Sequence, residues 1–381
     1  MKRFGLLMAA AVLLSAAVSC KSSQKPEKEL FVRDTASYAA GLDISGGGDV
    51  VKVQVRDPWD TLVVRRTYWL VRREAASDSL CRRLGTTGVV IKVPVERAVV
   101  YTSVHAAMAE QLGVVEKVRG VCESQYMTSQ VIRQRIAEGL ISDYGSSTTP
   151  NVEKIIEDRA DVIIASPFEN SSYGAAEKLG IPIVEAADYM ERHPLGRTTW
   201  VRFFGLLFGV GDRAEEMLAQ VVSNYNGLKA LAASVPVQER PTVMLERKYG
   251  QAWFVPSQSS YIGTFHKDAA ARYIFSDVDD TDSRPMQFEE VLKRAEDAQF
   301  WFLKYASERP MTYDDLKQEY APYANFAPFK NRRIYACNTL ESTYYDDITL
   351  NPDKILADFI SIYHPDLLPG YRPVYYFPLS E

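Results

Sequence analysis

DRAEEMLAQVVSNYNGLKALAAS, residues 212–234, is the stretch that decides how this chain folds. Its apolar side chains recur at the spacing of one helical face, at Ala214, Met217, Leu218, Val221, Val222, Tyr225, Leu228 and Leu231. Asp212 and Glu215 have the spacing of a capping box at the start of the helix, and Pro236 stops it. At 1.5 Å per residue the helix is about 33 Å long, enough to cross a whole domain. The pattern therefore predicts one long rigid helix that bridges two halves of the chain.

An α/β pattern occurs on both sides of this helix, in residues 96–211 and 235–381. Short apolar strands, such as 98–101 and 161–165, alternate there with segments of helical periodicity. Such alternation is typical of parallel sheets that are covered by helices. We therefore predict an α/β fold in which two α/β lobes are joined by the bridging helix, residues 212–234.

Residues 30–95 have a different, strand-like pattern. Val51, Val53 and Val55 alternate with polar residues, and the sequence DPWD at 57–60 indicates a turn between strands. This pattern predicts an antiparallel β extension that packs on the first lobe. The sequence assigns no function to it.

The first residues of the chain carry a targeting signal. A basic start, a short apolar core and a small-residue cleavage site predict a signal peptide at residues 1–19. Cys20 directly after this site indicates a bacterial lipoprotein whose thiol is acylated, and an ordinary secretory signal is the alternative. Residues 20–29 then form a lipidated tether, which places the protein in the bacterial cell envelope, facing the periplasm.

The composition of the chain and the motifs that it lacks argue against several classes of protein. A formal net charge of −5 without a basic stripe argues against nucleic-acid binding. The sequence contains no nucleophile elbow, zinc-protease motif or phosphate-binding loop, which leaves an enzyme without support. Its four histidines are far apart, so we expect no bare metal site. Cys81, Cys122 and Cys337 leave open whether one disulfide forms and which residues it joins.

Two blocks carry a family resemblance: PNVEKIIEDRADVIIAS at 150–166 and LGRTTWVRFFGLLFGVGDRAEEMLAQV at 195–221. With flanking segments over roughly residues 96–368, they resemble the substrate-binding lipoproteins of ABC importers for vitamin B12, ferric siderophores and haem. The resemblance implies a ligand cleft between the lobes, small lobe closure about the single helix, and a monomer that delivers its ligand to permease subunits and their ATPase. No cofactor is expected; iron or cobalt would arrive within the ligand.

In such a fold the ligand meets the loops at the carboxyl ends of the strands. The candidate ligand-binding residues on those loops are His105, Tyr126, Tyr144, Phe168, Arg247, Tyr249, Trp253, Tyr261, Tyr344 and Tyr345. Their aromatic faces suit a macrocycle or a catecholate, and Arg247 would attract an anion. The sequence leaves corrinoid, ferric siderophore and haem open. It also leaves open an enzyme or chelate-processing protein on the same two-lobe fold and a surface lipoprotein without a transport role.

Glu153 and Glu289 are candidate permease-docking residues. Each precedes an Asp by eight residues, Asp161 in the first lobe and Asp297 in the second. By the resemblance, they match outward-facing glutamates that meet arginines on the two permease subunits. The alternative is that each acid only stabilises the first turn of its own helix.

Overall fold

The computed structural model describes residues 37–170, 172–279 and 283–381. The predicted signal peptide, Cys20 and the tether lie outside these residues. The strands are β1 (Leu42–Gly47), β2 (Val50–Arg56), β3 (Val64–Arg72), β4 (Val89–Val93), β5 (Ala98–Val100), β6 (Val118–Val121), β7 (Ser142–Asp143), β8 (Val162–Ala165), β9 (Ile183–Glu185), β10 (Thr242–Leu245), β11 (Lys248–Tyr249), β12 (Ala252–Val255), β13 (Arg272–Tyr273), β14 (Arg284–Met286), β15 (Phe300–Tyr305), β16 (Ile334–Asn338) and β17 (Phe377–Pro378). The helices are α1 (Asp78–Gly85), α2 (Ser103–Gln111), α3 (Gln130–Ala137), α4 (Val152–Glu157), α5 (Pro194–Thr199), α6 (Val201–Phe208), α7 (Gly211–Ala233), α8 (Tyr261–Asp268), α9 (Phe288–Ala295), α10 (Tyr313–Glu319), α11 (Ala327–Lys330), α12 (Tyr344–Asp347) and α13 (Pro352–Tyr363).

Each lobe is built on its own five-stranded sheet. The sheet of the first lobe has the order β7-β6-β5-β8-β9, and its strands all run parallel. The sheet of the second lobe has the order β13-β10-β15-β16-β17, parallel except for β17 at its edge. Strands such as β8 are buried along their whole length, as expected when helices cover both faces. The predicted α/β fold with two lobes is confirmed.

Helix α7 connects the cores of the two lobes. Ala214 and Leu218 in its first half pack into the core of the first lobe. Tyr225 and Ala232 in its second half belong to the core of the second lobe. Because both ends are anchored by buried side chains, the helix constrains how far the lobes can move apart.

The predicted capping box at the start of α7 does not form. The helix begins at Gly211 and its N-cap residue is Val210, which makes no side-chain capping bond. The Glu215 side chain is buried, and one carboxylate oxygen lies 2.9 Å from Nε of Arg202 on α6. A buried carboxylate needs a charged partner, so this pairing outweighs a bond to the end of its own helix.

The extension forms a four-stranded sheet of order β1-β2-β3-β4. It is antiparallel from β1 to β3, and β4 joins β3 in parallel because α1 carries the chain back between them. Val51, Val53 and Val55 are fully buried and share one hydrophobic core with first-lobe residues of α6. None of the described helices combines the length and the apolar character needed to cross a bilayer.

Candidate functional site

A cleft with a volume of about 640 Å³ lies between the lobes. Its lining comes from three parts of the chain: the β2–β3 turn of the extension, the loop after β9 with α5, and the loops of the second lobe. The lining residues are Pro58, Trp59, Tyr189, Met190, Glu191, Arg192, Arg197, Glu246, Arg247, Tyr249, Phe254, Pro256, Ser260, Tyr261, Ile262, Ser283, Lys304, Tyr344, Tyr345 and Ile348. Both lobes therefore contribute to one concave surface.

Aromatic side chains are the most prominent feature of this lining. Tyr249 is 81% exposed, Tyr345 45% and Phe254 43%, values that are high for large apolar groups. Trp59 from the extension and Tyr189 from the first lobe are partly exposed in the same cleft. Solvated aromatic faces that converge from several elements form a surface suited to covering a large ligand.

Basic side chains outnumber acidic ones in the cleft. Among the described lining residues, Arg192, Arg197, Arg247 and Lys304 are basic, and Glu191 and Glu246 are acidic. Arg247 forms an ion pair with Glu319, a residue outside the lining. This balance favours an anionic ligand.

Arg197 is fixed by neutral partners. Its guanidinium carbon lies 3.7 Å from the centre of the Tyr261 ring. Its Nη2 donates a hydrogen bond of 2.6 Å to the carbonyl oxygen of Tyr189, and its Nε donates one of 3.3 Å to that of Glu191. The geometry holds a cation at the cleft wall.

The opposite wall contains a strained acidic residue. Glu246 follows β10 with a φ of 62°, in the left-handed region that non-glycine residues rarely adopt. Its backbone is held by an N–H bond of 2.8 Å to Phe302 and by a bond of 2.7 Å from Nε1 of Trp301. Its side chain forms an ion pair with Lys304. Strain of this kind persists where the surroundings fix a side chain in position, and it often occurs at binding sites.

A buried polar network joins the lobes below the cleft. His105 Nε2 lies 2.7 Å from Oδ1 of Asp188, and Thr349 of the second lobe donates to Asp188 Oδ2 at 3.2 Å. Burial alone would raise the pKa of Asp188, but the neighbouring His105 and Arg197 outweigh that effect and lower it. Thr198 Oγ1 also donates to the carbonyl oxygen of Thr349 at 2.7 Å. The two bonds made by Thr349 cross from one lobe to the other and favour a preformed cleft.

Half of the predicted ligand-binding residues line the cleft: Arg247, Tyr249, Tyr261, Tyr344 and Tyr345. Tyr126 is 64% exposed on the first lobe, outside the lining. Phe168 is 56% exposed and packs on the cleft residue Tyr189, with ring centres 6.4 Å apart.

The other three predicted residues are buried and lie outside the cleft lining. His105 is held in the network with Asp188. Tyr144 packs over Gly120, and its hydroxyl donates to Asp158 at 2.5 Å. Trp253 has no exposed surface, and its Nε1 donates to Leu245 at 3.0 Å within the second core.

Several cleft residues were not predicted. Tyr189 and Arg192 follow β9 and Lys304 lies near the end of β15, so the rule that ligands meet the carboxyl ends of strands could have found them. Phe254 is the neighbour of Trp253 on β12, and strand alternation alone decides which of the two faces the cleft. No sequence signal connected Trp59 in the extension with a cleft more than a hundred residues away.

The described part of the chain contains no group of three His, Cys, Asp or Glu side chains that could hold a metal ion. Cys81, Cys122 and Cys337 are free thiols. Burial raises the pKa of Cys122 to about 12 and that of Cys337 to about 11, so both remain protonated.

Glu153 and Glu289 lie in the first turns of α4 and α9, and both side chains are exposed. Asn151 caps α4 by accepting from the N–H of Lys154 at 3.1 Å. The N-terminus of α4 therefore already has a capping residue besides Glu153.

Comparisons with known proteins agree with this architecture. A family model described as periplasmic binding protein matches residues 98–339. An uncharacterized lipoprotein of Methanocaldococcus jannaschii is 27% identical over 377 residues, which cover 93% of this chain and 88% of that protein. Among solved structures, CeuE of Helicobacter pylori in a complex with nickel and histidine matches with a TM-score of 0.59 and 14% identity, over 84% of this chain and 90% of that one. The periplasmic heme-binding protein RhuT of Roseiflexus matches with a TM-score of 0.56 and 18% identity, over 71% and 99% of the two chains.

Proposed function

We propose that this chain, which belongs to the periplasmic binding protein family, captures an iron-siderophore, haem or corrinoid ligand in its cleft. Members of the family are solute-binding proteins of transporters and not enzymes. The protein then delivers this ligand to the permease of an ABC importer. The relatives of known structure include a heme-binding protein, which supports this class of ligand.

The observation that carries the proposal is the composition of the cleft between the lobes. Exposed aromatic rings from the second lobe face an arginine that Tyr189 and Tyr261 hold at the wall of the first. A volume of about 640 Å³ falls within the range of small-molecule sites. Flat rings and fixed cations together suit a large ligand that carries negative charge.

The single bridging helix sets how the ligand is captured. Both ends of α7 are anchored in a core, and buried hydrogen bonds join the lobes at Thr349. A helix does not flex like a pair of loops, so closure around the ligand is small. Affinity then comes from a cleft that is largely formed before binding.

Delivery requires docking and a place at the membrane. Glu153 and Glu289 are exposed, one on each lobe, and would meet equivalent permease subunits. Acylation of Cys20 would tether the protein to the cell envelope through residues 20–29. The matched lipoprotein of Methanocaldococcus jannaschii supports this anchoring.

Calorimetric titration with cyanocobalamin, hemin and a panel of ferric siderophores tests the proposal. We expect one of these ligands to bind in a one-to-one complex with a Kd of about micromolar or below, because a preformed cleft loses little entropy on binding. A protein that binds none of them below millimolar concentration would overturn the proposed function.

A further inference from the structure

The extension takes part in the cleft although it precedes the family match. The match begins at residue 98, whereas Pro58 and Trp59 in the β2–β3 turn line the cleft between the lobes. Trp59 is partly exposed. The extension is therefore a third wall in addition to the two lobes.

The turn that carries Trp59 is held rigidly. Asp57 Oδ1 accepts the backbone N–H groups of Trp59 at 2.9 Å and Asp60 at 3.2 Å. Its other oxygen accepts from Nη1 of Arg65 at 3.2 Å. The Arg65 guanidinium carbon lies 5.5 Å from the centre of the Trp59 ring. The indole is thus supported by an arginine from its own hairpin.

Arg65 ties this hairpin to the first lobe through a buried acid. Glu185 at the end of β9 has no exposed surface; one oxygen lies 2.5 Å from Nε of Arg65 and the other 2.9 Å from Nη2 of Arg66. The hydroxyl of Tyr68, which lies on β3 with Arg65 and Arg66, accepts the backbone N–H of Glu185 at 2.8 Å. Burial alone would lower the pKa of Arg65, but bonds to Glu185 and Asp57 raise it, so the group stays charged.

The extension also holds the far end of the loop that begins after Glu185. Glu191 accepts the N–H groups of Ala40 at 2.9 Å and Gly41 at 2.8 Å, both just before β1. Between these two anchors lie Tyr189 and Met190, which line the cleft. The extension therefore fixes the first-lobe wall of the cleft at both of its ends.

We propose that the extension is part of the ligand site and that Trp59 contacts the bound ligand, selecting one with a flat conjugated face and negative charge. This inference deepens the proposed function and rests on it. An indole ring gains most from a flat π surface, and Arg192 and Arg197 in the same cleft favour anionic groups. A porphyrin dicarboxylate and a ferric catecholate share this chemistry, whereas a ferric hydroxamate has no aromatic face.

Trp59→Ala, Trp59→Phe and Trp69→Ala variants test the inference against hemin, ferric enterobactin, ferrichrome and cyanocobalamin. Trp69 is the matched control because it lies on β3 of the extension sheet, outside the cleft lining. Its Nε1 donates a hydrogen bond to Oγ1 of Thr87. The backbone bonds of Asp57 do not involve the indole, so the melting temperature of Trp59→Ala should stay close to that of the wild type.

We expect Trp59→Ala to weaken hemin or ferric enterobactin binding by about tenfold or more, as truncation of an aromatic anchor does. Trp59→Phe should recover most of that loss, and Trp69→Ala should bind like the wild type. Equal affinity in Trp59→Ala, or equal losses in both Ala variants, would overturn this inference alone. So would a wild type that binds only ferrichrome or cyanocobalamin, which leaves the proposed function standing. A wild type that binds no ligand of the panel overturns the proposed function, and the inference with it.

Discussion

Replacing Tyr249 by Ala separates the effect on ligand binding from the effect on folding. Tyr249 follows Lys248 on β11 and is 81% exposed in the free protein. The folded state therefore gains little from its ring, and we expect the free energy of unfolding to change by less than about 0.5 kcal/mol. The backbone pairing of Tyr249 with Ala252 does not involve the removed atoms.

The effect on binding follows from the area that a ligand would cover. A large aromatic side chain offers about 200 Å², of which 81% is solvated here. If the ligand covers half of that surface, about 80 Å² leaves water, which is worth about 2 kcal/mol at about 25 cal/mol per Å². The Kd of Tyr249→Ala should then rise about 30-fold.

Calorimetry on wild type and variant, with the panel ligand that binds most tightly, measures this difference, and thermal unfolding checks the fold. Tyr126→Ala gives the comparison, because Tyr126 is also well exposed but lies outside the cleft lining. We expect its Kd to be unchanged. An unaltered Kd in Tyr249→Ala, with an unaltered melting temperature, would refute the assignment of the ligand to this cleft.

Three further predictions concern docking, anchoring and acid stability. Glu153→Lys combined with Glu289→Lys should leave ligand affinity unchanged but abolish ligand-stimulated ATPase activity in the reconstituted importer, because exposed docking charges govern encounter and register. Full stimulation by the double variant would mean that both acids only stabilise the first turns of their helices. Cys20→Ser should move the protein from the membrane fraction to the soluble fraction at equal affinity, and an unchanged distribution would exclude the lipid anchor. Burial lowers the pKa of His266 from 6.5 to about 3. Between these pH values His266 is protonated in the unfolded chain but neutral in the folded chain, so the free energy of unfolding falls as the pH drops from 6.5 toward 3. In urea unfolding, His266→Gln should reduce the dependence of the free energy of unfolding on pH by up to about 1.4 kcal/mol per pH unit. The same pH dependence in wild type and variant would contradict the assignment of this effect to His266.

Much of the fold was predictable because it depends on local periodicity. The apolar stripe from Ala214 to Leu231 required a helix of about the observed length, since each side chain repeats at a fixed angle along the axis. The start of α7 was not predictable in the same way. Glu215 has the spacing of a capping residue, yet it pairs with Arg202, and no local pattern reveals a partner on another helix.

In the candidate site, too, some residues could be placed from the sequence and others could not. Arg247, Tyr249 and Tyr344 could be assigned to the cleft, because the carboxyl ends of parallel strands meet at one edge of a sheet. Trp253 and Phe254 could not be told apart, because adjacent residues of a strand face opposite sides and only the packed core shows which side is covered.

The sequence by itself determined the two α/β lobes and the helix between them, since these depend on residue spacing along the chain, and two of its blocks carried the family resemblance. Only the tertiary structure decided which aromatic rings face solvent and that the extension supplies Trp59 to the cleft. That placement depends on the contacts of Arg65 and Arg66 with Glu185, more than a hundred residues away. Burial and ion pairing of this kind are properties of the packed chain, and residue spacing along one segment does not encode them.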